Sequence, residues 1–352
     1  MQGVWTDAGE FERVGGHLAL YHVLRRRGNG QREAKTLKTL NAVIAQEHQW
    51  PISLDNPYWF HLGSWWVWDE NWRKFFGEMS DVETCLQATQ FMQAIGVQYA
   101  IESNRRRAWR NSGSIPWQFN EPYPNAACTS AVDYFANPKP LYHAVARAFE
   151  PLHLSAKFPT FAWGGREQFE AELWVSNAYE RAWRDVMLAS RIVDANGKVY
   201  INQDKRVAFA ANHATHIGSL QWPLVELTQD VFFLDLQLTA EDGALLSRNR
   251  YVFSRSENFA PLFAIPPTTL DTSRQIEGDQ WRVSVKNTGD TVALFVWLED
   301  AREAGAHGYV YFNDNHFCLF PGEAVTIGAQ WSAVRPDARR ISVQAWNIVS
   351  DA

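Results

Sequence analysis

The side chains best suited to chemistry in this sequence are its tryptophans, 17 among 352 residues, within an aromatic content of 14%. An indole offers a wide apolar face and one N–H donor, which suits stacking on a sugar ring as well as filling a core. Composition does not separate those uses, because large β-sandwiches also consume aromatics. Other groupings are weaker. His213 and His216 stand three apart with no helical pattern around them and read as surface or turn residues, not as metal ligands. Asn313, Asp314 and Asn315 are oxygen-bearing, but a turn between strands explains them. Arg25–Arg27 with Arg32 and Lys35 read as a solvated loop. The three cysteines, Cys85, Cys128 and Cys318, are far apart and form no CxxC pair, which argues against a disulfide framework or a zinc site. There is no phosphate-loop motif and no nucleophile elbow, and Gly28-Asn29-Gly30 lacks the third glycine of a dinucleotide site. No metal or organic cofactor is expected.

The informative stretch is Ile101–Phe149. It contains Ile101-Glu102, Arg105-Arg106, Gly113, Trp117-Gln118, Asn120, Pro124, Asp133-Tyr134, Lys139 and Tyr142. In order and spacing these resemble the end of the catalytic barrel of glycoside hydrolase family 2, on its β-mannosidase side. Asp81–Ala100 resembles the helix before the last barrel strand, and Val310–Thr326 resembles the closing immunoglobulin-like domain of the same enzymes. The likeness covers most of Pro51–Asn347. It implies the C-terminal portion of a TIM (β/α)8 barrel followed by two immunoglobulin-like β-sandwiches, an α+β multidomain chain. It also implies hydrolysis of a terminal β-linked sugar with retention, a carbohydrate as the partner, and no cofactor. Residues at the C-terminal ends of barrel strands form the active face. If Gly113–Asn120 is the last strand, Trp117, Asn120 and Glu121 lie at the mouth. Trp117 would floor the sugar ring, and Asn120 and Glu121 would hydrogen-bond its hydroxyls. Glu102, Arg105 and Arg106 are expected to form ion pairs fastening the last helix.

A retaining glycosidase needs two carboxyl groups roughly 5–5.5 Å apart. In the resembling family they stand on barrel strands four and seven. This chain reaches back only to about the seventh, so the acid/base has no counterpart. The nucleophile would precede Lys35–Leu40, yet Val23–Arg32 holds no carboxylate and Glu33 does not fit the motif. No catalytic residue is assigned. The chain alone is expected to be inactive, with Met1–Lys35 not native barrel sequence and the N-terminal part of the same enzyme missing as a partner.

The elements that must position these residues are two helices, Asp81–Ser103 and Pro138–Phe149, with a short, buried strand at Gly113–Asn120 between them. Ser80 or Asp81 would cap the first helix. From about Leu152 the pattern alternates with period two, at Gln168–Val175, Asp185–Val193, Val231–Leu238 and Tyr251–Ser254, with a hairpin turn at Asn196-Gly197. Phe259–Thr269 reads as a linker. A second all-β set follows at Trp281–Lys286, Thr291–Trp297, Gly308–Phe312, Ala324–Ile327 and Ile341–Trp346, with a turn at Asn287–Asp290. The expected domains are 1–150, 151–260 and 261–352. A second functional reading is a non-catalytic carbohydrate-binding or interaction module that presents Trp163, Trp174, Trp183 or Trp222. Of these, Trp174 is expected in the core and Trp163, beside Gly164-Gly165, in a loop. The net charge of −6 argues against a protein built to neutralise nucleic-acid phosphate. No apolar run approaches the roughly 18 residues of a membrane span. No secretory leader is visible, so a cytoplasmic location is the expectation.

Overall fold

The structure, a computed structural model, describes residues 37–53, 55–61 and 69–348. The expectations for Met1–Lys35, including its arginines, lie outside the described residues. The described residues open with a helical layer: α1 (Leu37–Asn41), α2 (Pro57–His61), α3 (Asp69–Phe76), α4 (Val82–Arg106) and, further on, α5 (Pro140–Ala148). Helix α4 starts where its cap allows. Asp81 is extended and its Oδ1 accepts the Thr84 N–H at 2.8 Å, satisfying one of the free donors of the first turn. Helix α5 begins at Pro140, which lacks the N–H that a first helical position would leave unpaired.

Among the described residues fourteen strands follow in chain order. The first seven are β1 (Leu152–Lys157), β2 (Gln168–Asn177), β3 (Trp183–Asp194), β4 (Val199–Phe209), β5 (His213–Pro223), β6 (Val231–Thr239) and β7 (Leu245–Ser254). They pair antiparallel in two sheets, β1-β2-β5 and β4-β3-β6-β7. The last seven are β8 (Leu270–Glu277), β9 (Gln280–Asn287), β10 (Ala293–Asp300), β11 (Tyr309–Phe312), β12 (Phe317–Leu319), β13 (Ala324–Ser332) and β14 (Ile341–Gln344), in sheets β11-β13-β9-β8 and β12-β10-β14. The architecture is thus mostly β, two sandwiches with a helical layer. Asn196-Gly197 turns β3 into β4 as expected; Gly197 takes φ 79° there, a conformation open to glycine at little steric cost.

Two expectations about tryptophans reverse. In β2 the inward set is Phe169, Ala171, Leu173 and Val175, so Trp174 points outward, half-buried, with its ring 5.2 Å from His216. Trp163, expected in a loop, is 1% exposed and packs 4.8 Å from Phe169. The loop folds inward because the Trp163 N–H donates to the Ser254 carbonyl at 2.8 Å and Gly164 passes so close to Glu257 that an added Cβ would lie 2.5 Å from it. Trp183 and Trp222 are half-buried, the first beneath the Arg181 guanidinium at 3.7 Å.

Gly113–Asn120 also departs from expectation. It is not a buried strand: its only ladder contact among the described residues is a single bridge from Asn120 to Val132, and Ile115, Trp117 and Phe119 are exposed at 79, 49 and 67%. An apolar run becomes a buried strand only when neighbours pair on both sides, and the described residues supply no parallel strand for it. A barrel portion is therefore not evident among them.

The expected linker after Phe259 is structural. Phe259 is fully buried, 5.6 Å from Phe76 and 5.3 Å from Phe91. Phe91 also meets Phe295 at 5.0 Å and Trp346 at 5.8 Å, so one aromatic knot joins the helical layer to both sandwiches. A single apolar core runs from Leu40 through α4 and the first sandwich to Leu294, and a second, around Trp281 and Trp331, fills the last sandwich. The expected turn at Asn287–Asp290 is pinned by Asn287, which is fully buried and donates to the Leu319 and Thr291 carbonyls at 2.9 and 2.7 Å.

Candidate functional site

Between α4 and α5 the chain makes a surface from residues 113–120 and the loop that pairs with the end of them. The Phe119 carbonyl accepts the Val132 N–H at 2.8 Å, and the Gln118 carbonyl accepts the Ala131 N–H at 3.0 Å. The Trp117–Gln118 peptide bond is cis. Beneath this layer Glu121, 5% exposed, turns inward. Its Oε1 accepts the Ser130 hydroxyl at 2.6 Å and the Lys139 ammonium at 2.8 Å; its Oε2 accepts the Tyr134 N–H at 3.2 Å. Lys139 is fully buried and also donates to the Cys128 carbonyl at 3.1 Å and the Ser130 hydroxyl at 3.0 Å. Two buried opposite charges are tolerated because each has its hydrogen bonds filled. Asp133, 2% exposed, is held by Thr39 at 3.1 Å and by the Asn137 N–H at 2.8 Å.

The three residues expected at the mouth therefore divide. Trp117 and Asn120 are exposed and free to meet a ligand, whereas the Glu121 carboxylate is taken up within the protein. What the surface offers is an indole face, a neighbouring phenyl ring at Phe119 and an amide, rigidly backed by a buried ion pair. Residues 113–120 include no aspartate or glutamate. Lys139 stood in the sequence motif, but 18 residues from Glu121 nothing marked it as that residue's partner.

The expected fastening by Glu102, Arg105 and Arg106 is present in altered form. Glu102 is fully buried, with Arg106 at 4.0 Å, while Arg105 instead donates to the Ala148 carbonyl at 2.5 Å, closing the end of α5. The partners that dominate at Glu102 are His153 at 3.0 Å, Gln98 and Asn249 each at 2.9 Å, and the Tyr251 hydroxyl at 2.7 Å. Burial opposes ionisation of Glu102, but the His153 hydrogen bond and the Arg106 charge outweigh it and hold the carboxyl below its usual range. Burial, with Glu102 alongside, pushes the Tyr251 phenol well up. This joint ties α4 to β1 and β7 across as many as 149 positions of sequence.

Of the other residues singled out from the sequence, Asn313, Asp314 and Asn315 have structural partners. Asn315 bridges both backbone groups of Leu298 at 2.7 and 2.8 Å, Asn313 accepts the Gly328 N–H at 2.8 Å, and Asp314 pairs with Arg147 at 2.5 Å. His213 and His216 are exposed on β5, His216 against Trp174. Among the described residues no three His, Cys, Asp or Glu side chains gather as metal ligands, and no helix is long and apolar enough to cross a membrane.

Comparison with known proteins places these features in context. A family model described as the mannosidase Ig/CBM-like domain matches residues 170–256, and one described as the exo-beta-D-glucosaminidase Ig-fold domain matches residues 250–348. Beta-mannosidase B of Aspergillus terreus is 28% identical over 117 residues, 31% of this chain and 14% of that protein. Beta-mannosidase B of Aspergillus niger is 30% identical over 111 residues, 29% of this chain and 13% of that protein. Among solved structures, the beta-D-mannosidase of Dictyoglomus thermophilum superposes with a TM-score of 0.71 at 18% identity, covering 94% of this chain and 38% of that one. The exo-chitosanase CsxA of Amycolatopsis orientalis, in a complex with PNP-beta-D-glucosamine, superposes with a TM-score of 0.73 at 18% identity, covering 90% of this chain and 41% of that one. At that identity the structural likeness is one of fold. The chain spans 14% of the first curated relative and 38% of the first solved one. It resembles the C-terminal region of a family 2 glycoside hydrolase of β-mannosidase type, with immunoglobulin-like sandwich domains.

Proposed function

We propose that this chain is the C-terminal part of a retaining exo-β-glycosidase of β-mannosidase type that hydrolyses terminal β-linked sugars. In this reading residues 1–150 belong to the end of a TIM (β/α)8 barrel, with 151–260 and 261–352 as its two immunoglobulin-like sandwiches. The observation that carries it is the state of residues 113–120: paired only at Gln118–Asn120, with residues 131–132, and exposing Ile115, Trp117 and Phe119.

Trp117 then supplies the apolar floor for the sugar ring, and Asn120 hydrogen-bonds a hydroxyl at its edge. Glu121 contributes by position: clamped to Lys139 and Ser130, it holds the backbone that aims the other two. The nucleophile and the acid/base are assigned to no residue of this chain, and their partner is the remainder of such a barrel. A general acid and a nucleophile in one site are required for turnover. The purified chain is therefore expected to release no measurable product from aryl β-mannoside, β-galactoside or β-glucosaminide. Turnover that disappears in a Trp117→Ala variant would overturn the view that the carboxylate pair lies elsewhere.

A further inference from the structure

The C-terminal end of α4, the turn that follows it and the first sandwich enclose an open groove of about 470 Å³, within the size range of small-molecule sites. Gly113 and Ser114, at the start of the 113–120 segment, line it, but Trp117, Phe119 and Asn120 do not. Its most exposed feature is Trp109, with 73% of its surface open to water. This indole is not a loose side chain. Its backbone sits at φ 70°, in the left-handed region that bulky residues rarely adopt, and its Nε1–H donates to the Asn212 carbonyl at 3.2 Å. Asn212 itself has φ 47°. Two left-handed residues thus meet to hold a large aromatic face out into solvent, where burial contributes little to stability.

The surroundings match that face chemically. Phe149, 43% exposed, also lines the groove. Ser112, Asn212 and His213 line it and are exposed, and their side chains make no hydrogen bond to the protein among the described residues. Behind them Ser176, 6% exposed, has a buried hydroxyl without a hydrogen-bond partner. Beneath them the frame is closed: Asn111 donates to Asn104 at 2.9 Å and Asn104 to Ser114 at 2.8 Å. An aromatic platform ringed by unengaged hydroxyl, amide and imidazole groups is the equipment for binding a sugar by stacking and hydrogen bonds. The charge of the lining narrows the class. Arg105 is present and, among the described residues, no carboxylate lines the groove, so a cationic amino sugar would have no counter-charge.

We propose that this groove is a non-catalytic binding site for neutral oligosaccharides, separate from the Trp117 surface, with Trp109 as its stacking platform. The site would hold a polymeric substrate to the molecule while chemistry proceeds elsewhere. Calorimetric titration of the full chain with a neutral β-1,4-linked mannotetraose, and with the cationic glucosamine tetramer as its counterpart, tests it. The neutral tetramer is expected to bind and the cationic one to bind at least about tenfold more weakly. Trp109→Ala is expected to weaken neutral binding at least about tenfold, the loss of one stacked aromatic contact, while Tyr309→Ala, an exposed aromatic on β11 away from the groove, leaves it unchanged. His213→Ala, an exposed side chain outside the turn, is expected to weaken binding severalfold and carries the test should the Trp109 variant fail to fold. Absence of binding, equal binding of the cationic tetramer, or full affinity in Trp109→Ala would overturn the proposal. Loss of binding in Trp117→Ala alone would also overturn it and would locate the sugar at the barrel rim, leaving the glycosidase reading intact.

Discussion

Glu121 and Lys139 show what a single side chain decides here. Both stand in one run of conspicuous residues, and hydrogen-bonding chemistry alone would let Glu121 meet a sugar as readily as a lysine. Burial separates the possibilities: a carboxylate at 5% exposure needs its charge answered within the protein, and Lys139 answers it at 2.8 Å. Removing one partner leaves the other charged and dry. Lys139→Met is therefore expected to destabilise the fold by about 3–5 kcal/mol in denaturant titration. A loss below about 1 kcal/mol would mean that Glu121 reaches water, and would return it to the list of direct sugar contacts.

Among elements, the loop before β2 is the most instructive. Trp163 stands beside two glycines, which reads as an exposed turn, yet Gly164 lets the backbone close on Glu257 while Gly165 takes a left-handed φ of 73°, and the indole turns inward. Trp163→Ala is expected to cost about 3–5 kcal/mol, as truncation of a buried large aromatic does, and to leave glycan binding untouched. Equilibrium unfolding of that variant measures the first. A near-neutral result would place the indole at the surface. Trp174 makes the complementary point. Period two was plain in β2, but the phase that sends Phe169 and Leu173 inward sends Trp174 out. Helix α4 and the hairpin at Gly197 were legible because cap and turn chemistry are local.

Across the whole molecule the two sandwiches are held by charge as well as by the aromatic knot at Phe91. Arg250, on β7, pairs with Glu323 of the second sandwich at 2.9 Å and with Asp235 on β6 at 2.9 Å, and stacks on Phe320 at 3.9 Å. Partial burial raises the Glu323 carboxyl, but Arg250 and Arg248 outweigh it and bring it down to about 2 from an ordinary 4.5. On acidification the unfolded chain takes up this proton first. The clamp's contribution is thus fully present above about 4.5 and is lost as the pH falls towards 2. Glu323→Gln is expected to be less stable than the parent at neutral pH and to lose less of its stability over that interval, measured by thermal unfolding in a pH series. An acid limb of unchanged slope would show that the pair is open in solution.

The sequence by itself determined the alternating strands, the hairpin, the long capped helix and the likeness to a family 2 glycosidase, because periodicity, caps and motif spacing are properties of neighbours along the chain. Only the tertiary structure decided which faces are inner, which carboxylate is buried and which tryptophan is free. Glu102 finds Tyr251 across 149 positions, and residues 113–120 lie open, because such outcomes depend on which surfaces pack together. Trp109 carried no sequence signal either. An exposed indole and a buried one are spelled alike, and only the groove around it, with an unusual backbone holding it outward, separates the two.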